Sequence, residues 1–285
     1  MFDRILVPLD GSEESTRALG QAVGLARAVD ASLHALTVVD IRDLETADDV
    51  DDEMDAAAAL IEETLGTVAS DDLPTTTAVE RGVPDEIIRE YAAGHDIDLV
   101  VMGTHGRTGV RRFVLGSVTE KVVRLSDVPV LVVRVTEGGP TVPYEDILLP
   151  TDGSEGAAAA LEHAATLSRA FDARVHVVSV VDSAATTLEG GWSVMLDDLE
   201  AAAQEAVAGM AEDLRDRGVR EVRTEVSVGT PYRDLLDYVE DEGIDLVAMG
   251  THGRSGIERY LLGSVTEKLL RTSPAPVLTV RIEEV

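Results

Sequence analysis

GTHGRTGVRRFVLGSVTEK, Gly103 to Lys121, returns later in the chain as GTHGRSGIERYLLGSVTEK, Gly250 to Lys268, identical at 14 of 19 positions. A shorter pair accompanies it: ILVPLDGSE, Ile5 to Glu13, and ILLPTDGSE, Ile147 to Glu155. The spacing between copies far exceeds the roughly 20–50 residues of a solenoid repeat, so the pattern is that of a duplicated domain. The offset is 142 at Asp10/Asp152 and Asp40/Asp182, and 147 from Gly82/Gly229 through Gly103/Gly250. Copy two therefore gains five residues between Asp182 and Gly229. EGGPTVPY, residues 137–144, has the Gly and Pro content of a linker, which sets the expected domains at 1–136 and 145–285.

Working outward from the loop, Asp98–Met102 reads as a buried strand leading in, and Ser117–Ser126 as a helix leading out. Upstream, strand-like runs at Arg4–Leu9, Ser32–Val39 and Thr75–Glu80 alternate with helical periodicity at Glu13–Val29 and Asp51–Ala69 and from Pro84 to Ala93. A β-branched run, Val128–Val135, closes the copy, and Val277–Ile282 closes the second. Alternation of this kind predicts a parallel sheet with helices on both faces, two such Rossmann-like domains in tandem. Ligands of such sheets bind outside the carboxyl ends of the strands.

The loop has the frame G-x2-G-x9-G-S: Gly103, Gly106, Gly116 and Ser117, then Gly250, Gly253, Gly263 and Ser264. Glycines admit close backbone approach and positive φ. Successive amides can form an anion nest, and a helix start adds free N–H groups and a positive dipole end. The expected ligand is a polyphosphate. Ser117-Val118-Thr119-Glu120 and Ser264-Val265-Thr266-Glu267 also spell capping boxes, in which the serine would satisfy the helix end without a ligand. Asp10 and Asp152 follow the first strand of each copy, as turn residues or as partners for a ribose, an adenine amine or a metal. His105 and His252 stand inside the frame, as packed loop residues or phosphate contacts. Arg107 and Arg254 follow the second glycine, as phosphate clamps or solvated arginines.

No P-loop G-x4-G-K-[ST], no metal-ligand spacing and no defensible Ser/His/Asp or paired-carboxylate arrangement is present, so binding is favoured over turnover. In copy two, Leu188–Leu196, with Trp192 and Met195, reads either as a lid over the second site or as a helix on the sheet. The chain has 54 acids, 24 bases and a formal net charge of −30. Its acids are spread throughout, which reads as adaptation to high salt, where self-repulsion is screened. Such a surface argues against nucleic acid as a partner. Cysteine is absent, no apolar run is long enough to span a bilayer and no basic-then-apolar leader is seen, so a cytoplasmic location is expected.

The repeated frame after the fourth strand, with P-x-D after the first, resembles ATP-binding members of the universal stress protein family over nearly the whole chain. The resemblance implies an adenine nucleotide alpha hydrolase-like fold with five parallel strands in the order 3-2-1-4-5. It implies that Pro8, Leu9, Asp10 and the backbone of Val38 hold adenine and ribose. Gly103 and Gly106 would lie near ribose and phosphate, Gly116, Ser117, Val118 and Thr119 would cap the phosphates, and Met102 and Arg107 join the cofactor-binding set. The matching set is Pro150, Thr151, Asp152, Val180, Met249, Gly250, Gly253, Arg254, Gly263, Ser264, Val265 and Thr266. The implied cofactor is ATP, or AMP or ADP, with Mg2+. The implied role is a regulatory stress-response module with little or no turnover. A nucleotide-free interaction scaffold and a slow ATPase are the alternatives. Pairing of the two copies through their last strands, and a further homodimer, complete the expectations.

Overall fold

A computed structural model describes residues 2–43, 47–68, 73–106, 115–135, 142–183, 192–253 and 262–282, the side chains of residues 43, 47–49 and 192–195 aside. The chain divides into two compact units, Met1–Pro143 and Tyr144–Val285.

In the first unit β1 (Arg4–Pro8), α1 (Glu13–Val29), β2 (Ser32–Asp40), α2 (Ala47–Val68), β3 (Thr75–Gly82), α3 (Pro84–Gly94), β4 (Leu99–Gly103), α4 (Ser117–Leu125) and β5 (Val130–Val133) follow in turn. All strand pairings are parallel, and the sheet order is β3-β2-β1-β4-β5, as the family resemblance implies. Ile5, Leu6 and Val7 of β1 and Leu99, Val100 and Val101 of β4 are fully buried. That is the signature of central strands covered on both faces. α1 starts where Ser12 accepts a hydrogen bond from the Ser15 N–H, and α3 starts with Pro84 in its first turn.

The second unit repeats the plan: β6 (Asp146–Pro150), α5 (Glu155–Ala159), α6 (Leu161–Phe171), β7 (Arg174–Asp182), α7 (Trp192–Asp216), β8 (Val222–Gly229), α8 (Pro231–Asp241), β9 (Leu246–Gly250), α9 (Ser264–Thr272) and β10 (Val277–Val280). Its strands run in the order β8-β7-β6-β9-β10, again parallel. One departure is the first helix. It is continuous in copy one but interrupted at Ala160 in copy two, one turn after Gly156.

The buried positions of α2, Ala57, Ile61 and Thr64, match Ala203, Val207 and Met210 of α7 at an offset of 146. The surplus of copy two is thus split: four residues precede the buried face of α7 and one follows it. Trp192 opens α7, but its side chain and that of Met195 lie outside the described residues, as do residues 137–141 of the expected linker. Tyr144, at the end of that stretch, is fully buried and packs edge-on against Phe171, ring centres 5.4 Å apart.

Candidate functional site

The carboxyl ends of β1, β2 and β4 open into a cavity of about 720 Å³. Pro8, Leu9 and Asp10 line it from β1, Val38 and its neighbours from β2, and Met102 and Gly103 from β4; Gly106 and the run Gly116–Thr119 complete the far side. The second unit has a cavity of about 480 Å³, lined by Pro150, Thr151 and Asp152, by Val180, and by Met249, Gly250, Gly253 and Gly263–Thr266. Every expected site residue among those described therefore borders one of two equivalent cavities. Arg107 and Arg254 lie outside the described residues.

The helix start is built differently from the expected capping box. Gly116 and Gly263, not the serines, occupy the N-cap with extended backbone, and neither helix end has a side-chain cap. Ser117 and Ser264 are the first helical residues. The box fails because the helix begins one residue earlier than the box requires, and because the threonine is committed elsewhere. Thr119 Oγ1 donates to the Gly103 carbonyl at 2.8 Å, and Thr266 Oγ1 to that of Gly250 at 3.0 Å. These bonds tie each helix start to the end of the preceding strand. The first amide to be satisfied within α4 is that of Glu120, bonded to Gly116. Among the described residues the N–H groups of Ser117, Val118 and Thr119 have no partner, and they lie at the cavity wall and at the positive end of the helix dipole.

The frame glycines are required by space rather than by torsion. None of the six has positive φ, contrary to one ground given for them from sequence. A Cβ at Gly106 would strike the Asp10 carboxylate, and one at Gly253 that of Asp152. A Cβ on Gly116 would stand 3.1 Å from the Thr104 carbonyl oxygen, which already accepts from the Gly116 N–H. Positive φ falls instead on Gly11 (78°) and Gly153 (77°), one residue past the aspartates. Asp10 Oδ1 accepts from the Ser12 N–H at 3.0 Å and from the Ser12 hydroxyl at 2.6 Å. Asp152 makes the same pair of bonds with Ser154. Each aspartate is thus a turn residue that also borders its cavity.

His105 lines the first cavity; its Nδ1 lies 3.0 Å from Thr104 Oγ1, and its Nε2 is buried without a partner. Burial holds its pKa below the usual value, a trend that Glu14 opposes and Arg134 reinforces. His252 repeats this arrangement with Thr251, its Nε2 again buried and unpartnered. Sequence reasoning missed other walls, among them Asp40, Glu53, Ala57 and Ile88 in copy one, and Asp182, Leu199, Ala203 and Leu235 in copy two. Arg42 forks onto the Asp40 carboxylate, Nε to Oδ1 at 2.8 Å, and holds its pKa down. The duplication itself could have flagged Asp40, since an aspartate ends the second strand of both copies. Among the described residues no cavity-lining side chain is a lysine or arginine, and no group of three or more potential metal ligands is found.

The profile of the Universal stress protein family matches residues 1–134 and 143–281. The chain belongs to that family. Among curated relatives, the universal stress protein MJ0531 of Methanocaldococcus jannaschii is 36% identical over 141 residues, 48% of this chain and 82% of that protein. MJ0577 of the same organism is 30% identical over 158 residues, 50% of this chain and 97% of that protein. Each such relative thus aligns with about half of this universal stress protein. A solved universal stress protein from Archaeoglobus fulgidus covers 99% of both chains with a TM-score of 0.77, at 22% identity, a likeness of fold. Among the described residues of this family member no helix is long and apolar enough to cross a membrane.

Proposed function

We propose that each domain binds one adenine nucleotide at the carboxyl edge of its sheet and that the protein acts as a regulatory module with little turnover. The observation that carries this reading is the side-chain-free start of α4 and α9. Each presents three open N–H groups to a cavity large enough for a nucleotide, in the range of about 300–1,000 Å³ common for such ligands. Phosphates belong there, on Ser117–Thr119 and Ser264–Thr266. The base belongs at the apolar end, against Val38, Ala57 and Ile88 in one site and Val180, Ala203 and Leu235 in the other. Asp10 and Asp152, between the two ends, suit a ribose.

Acids, not bases, border both cavities among the described residues, so a polyphosphate needs counter-charge. Mg2+ carried in with ATP supplies it, and AMP or ADP needs less of it. Among the described residues the imidazole–hydroxyl pair at each site, His105 with Thr104 and His252 with Thr251, has its hydroxyl off the cavity lining, which supports binding over hydrolysis. The spread of acids suits a cytoplasm rich in salt. Pairing of the two domains through β5 and β10, and a homodimer beyond that, extend the proposal and rest on the family resemblance alone.

Calorimetric titration with MgATP in molar salt tests the reading. Two sites per chain without release of ADP is the expected result. An absence of binding would leave an interaction scaffold, and rapid ADP production would make the protein an enzyme.

A further inference from the structure

The two cavities share a floor and a phosphate end but differ on the side facing the long helix. The matched buried faces of α2 and α7 place Ala57 opposite Ala203, so one turn earlier Glu53 in copy one corresponds to Leu199 in copy two. Both residues border their cavities. Glu53 is exposed at the rim, whereas Leu199 is half-buried. One further exchange runs in the same direction: Ser15 of the first wall becomes Ala157. The second cavity is also the smaller, about 480 Å³ against 720 Å³.

From these differences we infer that Leu199 and Glu53 set the affinities of the two sites apart, making the second domain the tight adenine-nucleotide site and the first the weak one. The inference rests on the nucleotide reading above. A half-buried leucine over a narrow cavity has apolar area left to cover, and a flat base lying under it covers that area. A ligand in the first site finds a carboxylate at the same place. Together with Asp10 and Asp40 it meets three acids there among the described residues, against two, Asp152 and Asp182, in the second. Phosphate charge is repelled more strongly in the first site, and the base gains less contact.

The test isolates one site at a time in the full chain. Asp10→Ala weakens the first site and leaves the second to be titrated with MgATP in molar salt; Asp152→Ala does the converse. The second site alone is expected to bind roughly tenfold more tightly, the value of about half a leucine side chain removed from water. Exchanging the rim residues then reverses the order. Leu199→Glu, in the Asp10→Ala chain, weakens binding roughly tenfold, and Glu53→Leu, in the Asp152→Ala chain, strengthens it by a similar factor. Glu53 is exposed, so its replacement leaves the fold intact; an unchanged melting curve checks this. Equal affinities at the two isolated sites, or affinities that ignore both exchanges, would overturn the assignment while leaving nucleotide binding standing. No binding by the unmodified chain would overturn the nucleotide reading itself, and this inference with it.

Discussion

Beneath the leading frame glycine of the first domain stands Glu14; in the second domain the same place is held by Gly156. A Cβ on Gly103 would fall 2.6 Å from the Glu14 Cβ and 2.9 Å from its backbone carbonyl carbon. A Cβ on Gly250 would strike the Gly156 carbonyl, and one on Gly156 would strike that of His252. In copy two, backbone therefore packs on backbone, and the helix that carries Gly156 is interrupted a turn later. Identical motif letters are thus backed by different neighbours, and the second loop has less room to yield. Exchanging the two residues breaks the comparison at its strongest point. Gly156→Glu is expected to cost about 3 kcal/mol, because its Cβ would meet the His252 carbonyl and the glycine loop must shift. Glu14→Gly should cost about 1 kcal/mol or less, the penalty of glycine near a helix start. Guanidinium unfolding, which keeps ionic strength high, reads both. Equal losses would mean that the loop of copy two moves as freely as that of copy one.

The chain has only two lysines, and they occupy the same position of α4 and α9. Their partners differ. Lys121 Nζ lies 2.9 Å from Asp85 Oδ1, a carboxylate whose side chain is only 5% exposed. Lys268 Nζ sits 3.9 Å from the centre of the Tyr232 ring instead. Removing Lys121 strands a buried charge, whereas removing Lys268 leaves a ring that is content in water or in apolar surroundings. Stranded buried charges cost about 3–5 kcal/mol, and Lys121 itself is 41% exposed, so water softens the loss. Lys121→Met is expected to destabilise by about 2 kcal/mol and Lys268→Met by about 0.5 kcal/mol. Thermal melts of the two single variants, side by side, sharpen or erase the difference. Charge totals play no part in it, since residues 1–143 and 144–285 each hold 27 acids and 12 bases.

The strands and helices were legible because their cause is local. Ile5–Val7 and Leu99–Val101 are unbroken apolar runs, and such runs have few homes other than a sheet covered on both faces. The glycine frame was legible for a related reason, since close approach leaves glycine as the residue that fits. The helix start was misread because Ser-x-x-Glu spells a capping box whether or not the serine is the cap. Here Gly116 takes that place, and Thr119 is drawn away by the Gly103 carbonyl, a contact 16 residues distant in sequence. The walls at Glu53 and Leu199 were illegible for the same reason in stronger form. They become walls only when α2 and α7 pack on the sheet, and no local pattern marks which turn of an acidic helix faces a cavity.

The smallest expected difference lies at the opposite ends of the strands and concerns acid. His34 of β2 is buried, with Nδ1 3.1 Å from the Tyr91 hydroxyl. The ring of His95 stacks on Tyr91 at 3.9 Å, and Arg4 reaches the His95 carbonyl and Asp96. Burial, then His95, then Arg4 hold the His34 pKa below its ordinary 6.5. In the second domain an aspartate, Asp146, stands at the place of Arg4, with Oδ1 2.7 Å from His176 Nε2 and 2.7 Å from Arg174 Nε. The sign follows from linkage. The unfolded chain takes up a proton near pH 6.5, whereas folded His34 resists it, so the first domain loses stability as pH falls below that value. His176 thus has a carboxylate at its Nε2, where His34 has Arg4 nearby. Hydrogen exchange corrected for its intrinsic pH dependence should therefore show a gap in β2 protection between pH 7 and 5, with less protection at pH 5. Arg4→Gln removes the weakest of the three causes and should narrow the gap slightly without closing it. A gap that vanishes in that variant would move the main cause from burial to the arginine, and one that widens would reverse the sign of the argument.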